Sequence, residues 1–208
     1  MIKSKDDLQF YLAADKFALD KKYSKPKIND DVWKFQILLR KVEYYKNKNP
    51  SLLSIILLRA YQVRKHRLGI KLGFDIPPNV FGPGLRINHF GNIVVNGSAK
   101  VGMWCDIHQG VNIGSNNSAE GSILVPKIGS NVWIGPGAKI FGEIEIGNEV
   151  QIAANAVVNK NVADNKTVAG IPATVINDKG TESVAVAASK AKMDEFLESY
   201  PQYKHYFK

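Results

Sequence analysis

Four histidines and a single cysteine hold most of the acid–base and nucleophilic potential of this 208-residue chain. A neutral imidazole, with an ordinary pKa of about 6.5, can take the proton of a hydroxyl as its oxygen attacks a carbonyl carbon. A carboxylate on one ring nitrogen fixes the tautomer that leaves the other free as a base. A catalytic zinc would need three protein ligands and an open position. His89 and His108 are the only histidines in the central stretch, while His66 and His205 lie in the flanks. Cys105 has no second cysteine to pair with, so no intrachain disulfide forms.

A repeat positions these groups. From Ile128 an aliphatic residue recurs every six positions, through Ile134, Ile140, Ile146 and Ile152 to Val158. A second series follows four residues behind: Val132, Ala138, Ile144, Val150, Ala156 and Val162. An earlier run, Val95, Val101, Ile107 and Ile113, behaves alike, with Ala99, Cys105 and Val111 behind it. Helices repeat every 3.6 residues and strands every two. A period of six fits a coil in which each hexad makes one short strand and one corner, and three hexads close a triangular turn. The first aliphatic residue of each hexad then points inward, and Gly or Asn at corners tolerates positive φ. The register breaks between Ile113 and Ile128, so residues 115–126 are expected to leave the prism as a loop. A second break falls at Asn88–Asn92, and interruptions of a rigid scaffold are where function concentrates.

The flanks differ in kind. Residues 1–72 carry 17 Lys/Arg against 7 Asp/Glu, whereas residues 73–180 carry 7 against 8. Residues 1–72 read as a helical domain, residues 73–180 as the repeat domain and residues 181–208 as a tail with a short helix that could cap the prism. Asn29 or Asp30 is a candidate cap for a helix through Trp33, Ile37, Leu38 and Val42, and Pro50-Ser51 opens another through Leu53, Ile56, Leu57 and Val63. The cluster Arg59, Arg64, Lys65, His66 and Arg67 near that helix's C-terminus favours the helix dipole, with contact to an anionic membrane surface or glycan as the alternative. No nucleic-acid motif is present. The apolar run Leu52–Leu58 is too short to span a bilayer, which takes about 20 residues. No signal peptide is visible, and the expected location is cytoplasmic.

Residues 75–176 resemble the serine acetyltransferase family of hexapeptide-repeat acyltransferases. The likeness lies in Asp75-Ile-Pro-Pro, Ile87-Asn-His89-Phe-Gly-Asn-Ile-Val-Val95, Val111-Asn-Ile-Gly114, Pro126-Lys-Ile-Gly129, Val132-Trp-Ile-Gly-Pro-Gly-Ala-Lys-Ile140 and Ala169-Gly-Ile-Pro-Ala173. The resemblance implies a left-handed parallel β-helix; the hand rests on it alone, since most parallel crossovers are right-handed. It implies a homotrimer, with pairing of trimers into hexamers left open, and acetyl-CoA as cosubstrate without a metal. It implies His89 as the general base and Asp75 as its carboxylate partner, 14 residues earlier. It places acetyl-CoA in the groove between prisms, against Gly114, Gly135, Pro136, Ala153 and Ala154, with Lys139 or Lys160 near the phosphates. Ordinary corner geometry is the competing account of the small residues. Asn88 and His108 are candidates for contact with the acceptor, and His108, following inward Ile107, should face outward.

Departures from the family pattern bear on the acceptor. Members that use L-serine usually carry an Arg-His pair just before the Pro-Lys-Ile segment, where this chain has Leu124 and Val125. The family's Asp before the base is Asn88 here. These losses favour a sugar hydroxyl, such as a surface-polysaccharide precursor, with serine as the alternative. A carbonic-anhydrase-type hydratase on the same scaffold lacks its third histidine here. A non-catalytic trimeric scaffold is the remaining class, and an N-acetyltransferase acting on an amino sugar stays open.

Overall fold

The computed structural model describes residues 1–117, 123–183 and 189–207. Three helices come first: α1 (Lys5–Ala18), α2 (Asp31–Asn47) and α3 (Leu52–Leu72). Helix α1 opens on a capping box: the Ser4 hydroxyl accepts from the Asp7 amide while the Asp7 carboxylate accepts from the Ser4 amide. Helix α3 opens after Pro50-Ser51, as expected, and Ser51 and Ser54 cap it in the same reciprocal way. Asp30 precedes α2 but does not cap it with its side chain. Its carboxylate is held instead by the Lys21 ammonium and the Lys27 amide.

Helix α3 stops at Gly73, whose φ of 76° is left-handed, and the chain then winds into a three-faced parallel β-solenoid. One face stacks Phe74–Asp75, Ile93–Val95, Asn112–Ile113, Lys139–Ile140 and Val157–Val158. The second stacks Arg86–Ile87, Asp106–Ile107, Trp133–Ile134, Gln151–Ile152 and Thr167–Gly170. The third stacks Lys100–Val101, Lys127–Ile128 and Glu145–Ile146, with bridges from Phe81 and Val162. Every aliphatic residue of the six-spaced ladder, Val95 to Val158, is at most 5% exposed. At roughly 1.5–3 kcal/mol for each buried aliphatic side chain, this ladder is the main source of cohesion. Residues 18 apart stack, as Ile128 on Ile146 and Ile134 on Ile152.

Both register breaks have a structural meaning. Ile113 pairs with Ile140, nine residues beyond the usual 18, and the surplus leaves the solenoid between them. Asn116–Asn117 and Ile123–Leu124 pair antiparallel at its base, while residues 118–122 lie outside the described part. At the other break, Ile87 pairs with Ile107 but Val95 pairs with Ile113. The corner carrying His89 therefore holds two more residues than the corner stacked on it.

The tail departs from expectation. Helix α4 (Lys190–Ser199) does not cover the last turn; it returns to α1, where Phe196 packs among Phe10, Phe17 and Trp104. The last turns are closed by Ala173–Asn177, antiparallel to Thr167–Gly170, and by the Gly180–Ser183 turn, where the Thr181 amide donates to the Glu149 carbonyl. The anchor for α4 is Trp104, fully buried with φ of 56°. Its stacked counterparts Asn131, Glu149 and Asn165 share this left-handed conformation, which turns the corner residue outward. Burial of the indole against two helices offsets the roughly 1–2 kcal/mol that a left-handed non-glycine residue costs.

A buried ionic hub joins helices to solenoid. The Arg40 side chain is wholly buried and donates to the Asp15 carboxylate through Nε at 2.7 Å and Nη2 at 3.2 Å. It also donates to Glu43 and to the carbonyls of Phe81 and Gly82. Asp15 Oδ1 in turn accepts from the amides of Gly84 and Leu85. Three elements thus share one buried network, in which a single guanidinium serves two carboxylates.

Candidate functional site

His89 stands exposed on the enlarged corner. Gly91, two residues on, has φ of 132°, and a Cβ there would meet Gln109 Cβ at 2.9 Å, so this corner requires glycine. The Gly91 amide donates to the Leu72 carbonyl and the Ile93 amide to Gly73, which ties the corner to the end of α3.

The register of the second face carries on into the corners. Asn88, His108, Gly135 and Ala153 follow four stacked inward residues, so they form one column, with matching amide–carbonyl bonds between coils. Gln109, Pro136 and Ala154 form the next column; across the enlarged corner it is Gly91 that comes against Gln109, while the His89 ring lies beside that of His108. Seven of the sequence-selected residues therefore share one edge of the prism: Asn88, His89, His108, Gly135, Pro136, Ala153 and Ala154. Asp75 and Lys139 lie on the adjoining face, in the row Asp75, Val94, Asn112, Lys139, Val157. The Lys139 ammonium bonds the Gly110 carbonyl of the His89 edge. Gly114 and Lys160 follow Ile113 and Val158 at the far side of that face, so the structure keeps them apart from His89 within one protomer.

Asp75 and His89 are not joined by a hydrogen bond or ion pair. Asp75 is exposed in a groove of about 400 Å³ with Lys65, His66, Ile70, Asn92 and Val94. Burial pushes the Lys65 ammonium below its ordinary pKa, and the field of Asp75 partly restores it.

A second polar group meets His89 from the other side. His108 does not face solvent, contrary to the sequence expectation: it is 8% exposed, its ring 5.0 Å from that of Trp133 and 6.2 Å from that of His89. The Asn88 amide nitrogen lies 3.3 Å from both of its ring nitrogens. Its Nε2 is 3.5 Å from Oδ1 of Asp106, whose Oδ2 accepts from Arg86 at 2.8 Å. Burial, with help from Arg86 and His89, lowers the His108 pKa to about 4 and keeps the ring neutral. Burial also raises the Asp106 carboxyl above its usual range, against the pull of Arg86. Asp106 Oδ1 and Gln109 Oε1 are buried without a hydrogen-bond partner. Sequence reasoning missed Arg86, Asp106 and Gln109. Asp106 directly precedes inward Ile107, a place that reads as ordinary outward surface, and only the stacking of Arg86 and Trp133 on either side buries it.

Cys105 points into the core, and burial raises its thiol pKa, so it offers no nucleophile. Among the described residues no group of three His, Cys, Asp or Glu could hold a metal ion, and no helix is long and apolar enough to cross a membrane.

Comparison with known proteins adds a family. Residues 126–160 match the bacterial transferase hexapeptide (six repeats) model. A serine acetyltransferase of Synechococcus elongatus is 38% identical over 116 residues, 55% of this chain and 47% of the relative. The crystal structure of serine acetyltransferase from Brucella abortus strain S19 in complex with coenzyme A superposes with a TM-score of 0.65 at 30% identity, over 85% of this chain and 70% of that one. The chain belongs to the serine acetyltransferase family of hexapeptide-repeat proteins. The Neisseria gonorrhoeae serine acetyltransferase in complex with serine superposes with a TM-score of 0.62 at 26% identity, over 84% of this chain and 71% of that one. The chain spans about half the length of most curated relatives it matches. Within the family pattern, Val125 packs against the hydrophobic core and Leu124 pairs with Asn116, so neither place offers a charge.

Proposed function

We propose that this protein transfers the acetyl group of acetyl-CoA to the hydroxyl of a small acceptor, with His89 as general base. The observation that supports this most is the single prism edge on which an exposed imidazole follows Asn88, the head of the column His108, Gly135 and Ala153, with Pro136 and Ala154 in the next column. Such small residues leave coil backbone open to the peptide-like arm of coenzyme A. His89 takes the hydroxyl proton as the oxygen attacks the thioester carbonyl, and returns it to the departing thiolate. Asp75 is the carboxylate that the family pattern assigns to His89. Catalytic hydrogen bonds often form only once substrate is bound. The groove is completed by a neighbouring copy in a trimer.

The relatives' names favour L-serine as acceptor, against the sugar that the sequence departures favour. A sugar hydroxyl is the second reading, carried by apolar Leu124 and Val125 where serine-using members hold Arg-His. Thiol release from acetyl-CoA, measured across serine, homoserine, sugars and nucleotide sugars, tests both. Saturable turnover with serine supports the first reading and removes the second. No release with any hydroxyl acceptor, and no coenzyme A binding, would leave a non-catalytic scaffold.

A further inference from the structure

Helix α3 carries an exposed apolar spine. Leu52, Ile56, Val63 and Ile70 are 78%, 57%, 50% and 70% exposed. At 3.6 residues per turn these four fall within about 40° of one another around the helix axis. From Arg59 onward, Arg59 and His66 flank the spine on one side, and Arg64, Arg67 and Lys71 on the other, all exposed, while Leu53 and Ile55 widen the apolar face around Leu52 and Ile56. The helix holds no acidic residue. Lys71 pairs with Asp31, whereas Arg59, Arg64 and Arg67 find no carboxylate among the described residues. A helix end alone would need one or two cations, not three unpaired arginines spread over about two turns.

The geometry points to α3 as a docking face for an anionic lipid surface, lying in the plane of the interface. An apolar stripe between basic margins is the pattern of helices that sink one face into the headgroup boundary while arginines meet phosphates. A second copy of the chain fits poorly. Two α3 helices packed antiparallel about a two-fold axis near Val63 would bring Arg59 of each level with Arg67 of the other, with no acid on either helix to compensate.

Sedimentation of the full chain with vesicles tests this. Phosphatidylcholine vesicles containing phosphatidylglycerol should carry the protein down, and pure phosphatidylcholine vesicles should not. Raising salt should weaken the binding. Arg59→Glu, Arg64→Glu and Arg67→Glu together should reduce it at least about 100-fold. Leu52→Ser with Ile56→Ser should also weaken it while leaving the particle mass in sedimentation equilibrium unchanged, as an inserted apolar face requires. Equal binding to neutral and anionic vesicles, or none to either, overturns the proposal. So does a fall in mass on Leu52→Ser with Ile56→Ser, which would assign the face to another copy. Retention on polyglutamate without vesicle binding would assign it to an acidic protein.

Discussion

Oδ1 of Asp106 lies 3.5 Å from Nε2 of His108 and is buried without a hydrogen-bond partner. The Asn88 amide nitrogen, 3.3 Å from both ring nitrogens, can donate to whichever of them a neutral His108 leaves unprotonated. Charging the ring would put an imidazolium in a closed space beside Arg86 and near His89. The folded protein therefore resists protonation at a site that the unfolded chain protonates near pH 6.5.

The consequence is a pH-dependent stability. The folded-state pKa of His108, about 4, lies below its unfolded value, so the unfolded chain binds more protons between them. Stability is fully present above pH 6.5 and is lost as the pH falls toward 4, by up to about 3 kcal/mol. His108→Gln should flatten that limb. Urea unfolding of both proteins at pH 7 and pH 4.5 checks it: a difference between them that does not change with pH would refute the buried neutral imidazole.

His89 is exposed and its ring forms no hydrogen bond, so removing it should separate chemistry from folding. His89→Ala is expected to lower kcat for thiol release about 10²–10⁴-fold, with a melting temperature within about 2 °C of the parent. Turnover within a factor of three of the parent would exclude the ring as base. Asp75→Asn should lower kcat more than it alters KM, and should shift the acid limb of the pH–rate profile, if that carboxylate closes on His89 with substrate bound.

The hexad spacing made the solenoid legible because each inward position obeys one simple rule, small or aliphatic every sixth residue. The enlarged corner at His89 was visible as the break at Asn88–Asn92, for the same reason. What stayed hidden depends on contacts between coils. The burial of Asp106 and His108 comes from Arg86, 20 residues away, and Trp133, 27 residues away across the inserted segment. Nor could the sequence say where α4 would dock, since an amphipathic tail fits either the open end of the prism or the side of α1. The Arg40 hub was equally invisible, because Asp15, Arg40 and the Phe81–Leu85 turn meet only after three elements have packed.

That hub should be intolerant of losing one member. Arg40→Met leaves Asp15 and Glu43 buried without their shared cation and frees the carbonyls of Phe81 and Gly82. The expected loss is about 3–5 kcal/mol in denaturant unfolding. A loss under about 1 kcal/mol would mean that water reaches the carboxylates and that the network does not tie the helices to the solenoid.

Trp104 permits a sharper test of the tail. Its left-handed slot is filled by Asn131 in the next coil and by Asn165 further along the stack, so Trp104→Asn keeps the backbone in a conformation that asparagine tolerates. The change then removes only the indole, which packs edge-on to Phe17 at 6.2 Å and against Phe196 at 5.4 Å. The solenoid should keep its melting temperature within a few degrees, while α4 loses the floor on which Phe196 rests. Trypsin should consequently cut Trp104→Asn at Lys190 and Lys192 at least ten times faster than the parent, read by mass spectrometry of early fragments. Equal cleavage rates would show that Phe10 and Phe17 on α1 hold the tail without the indole, and that the left-handed tryptophan serves the solenoid corner alone.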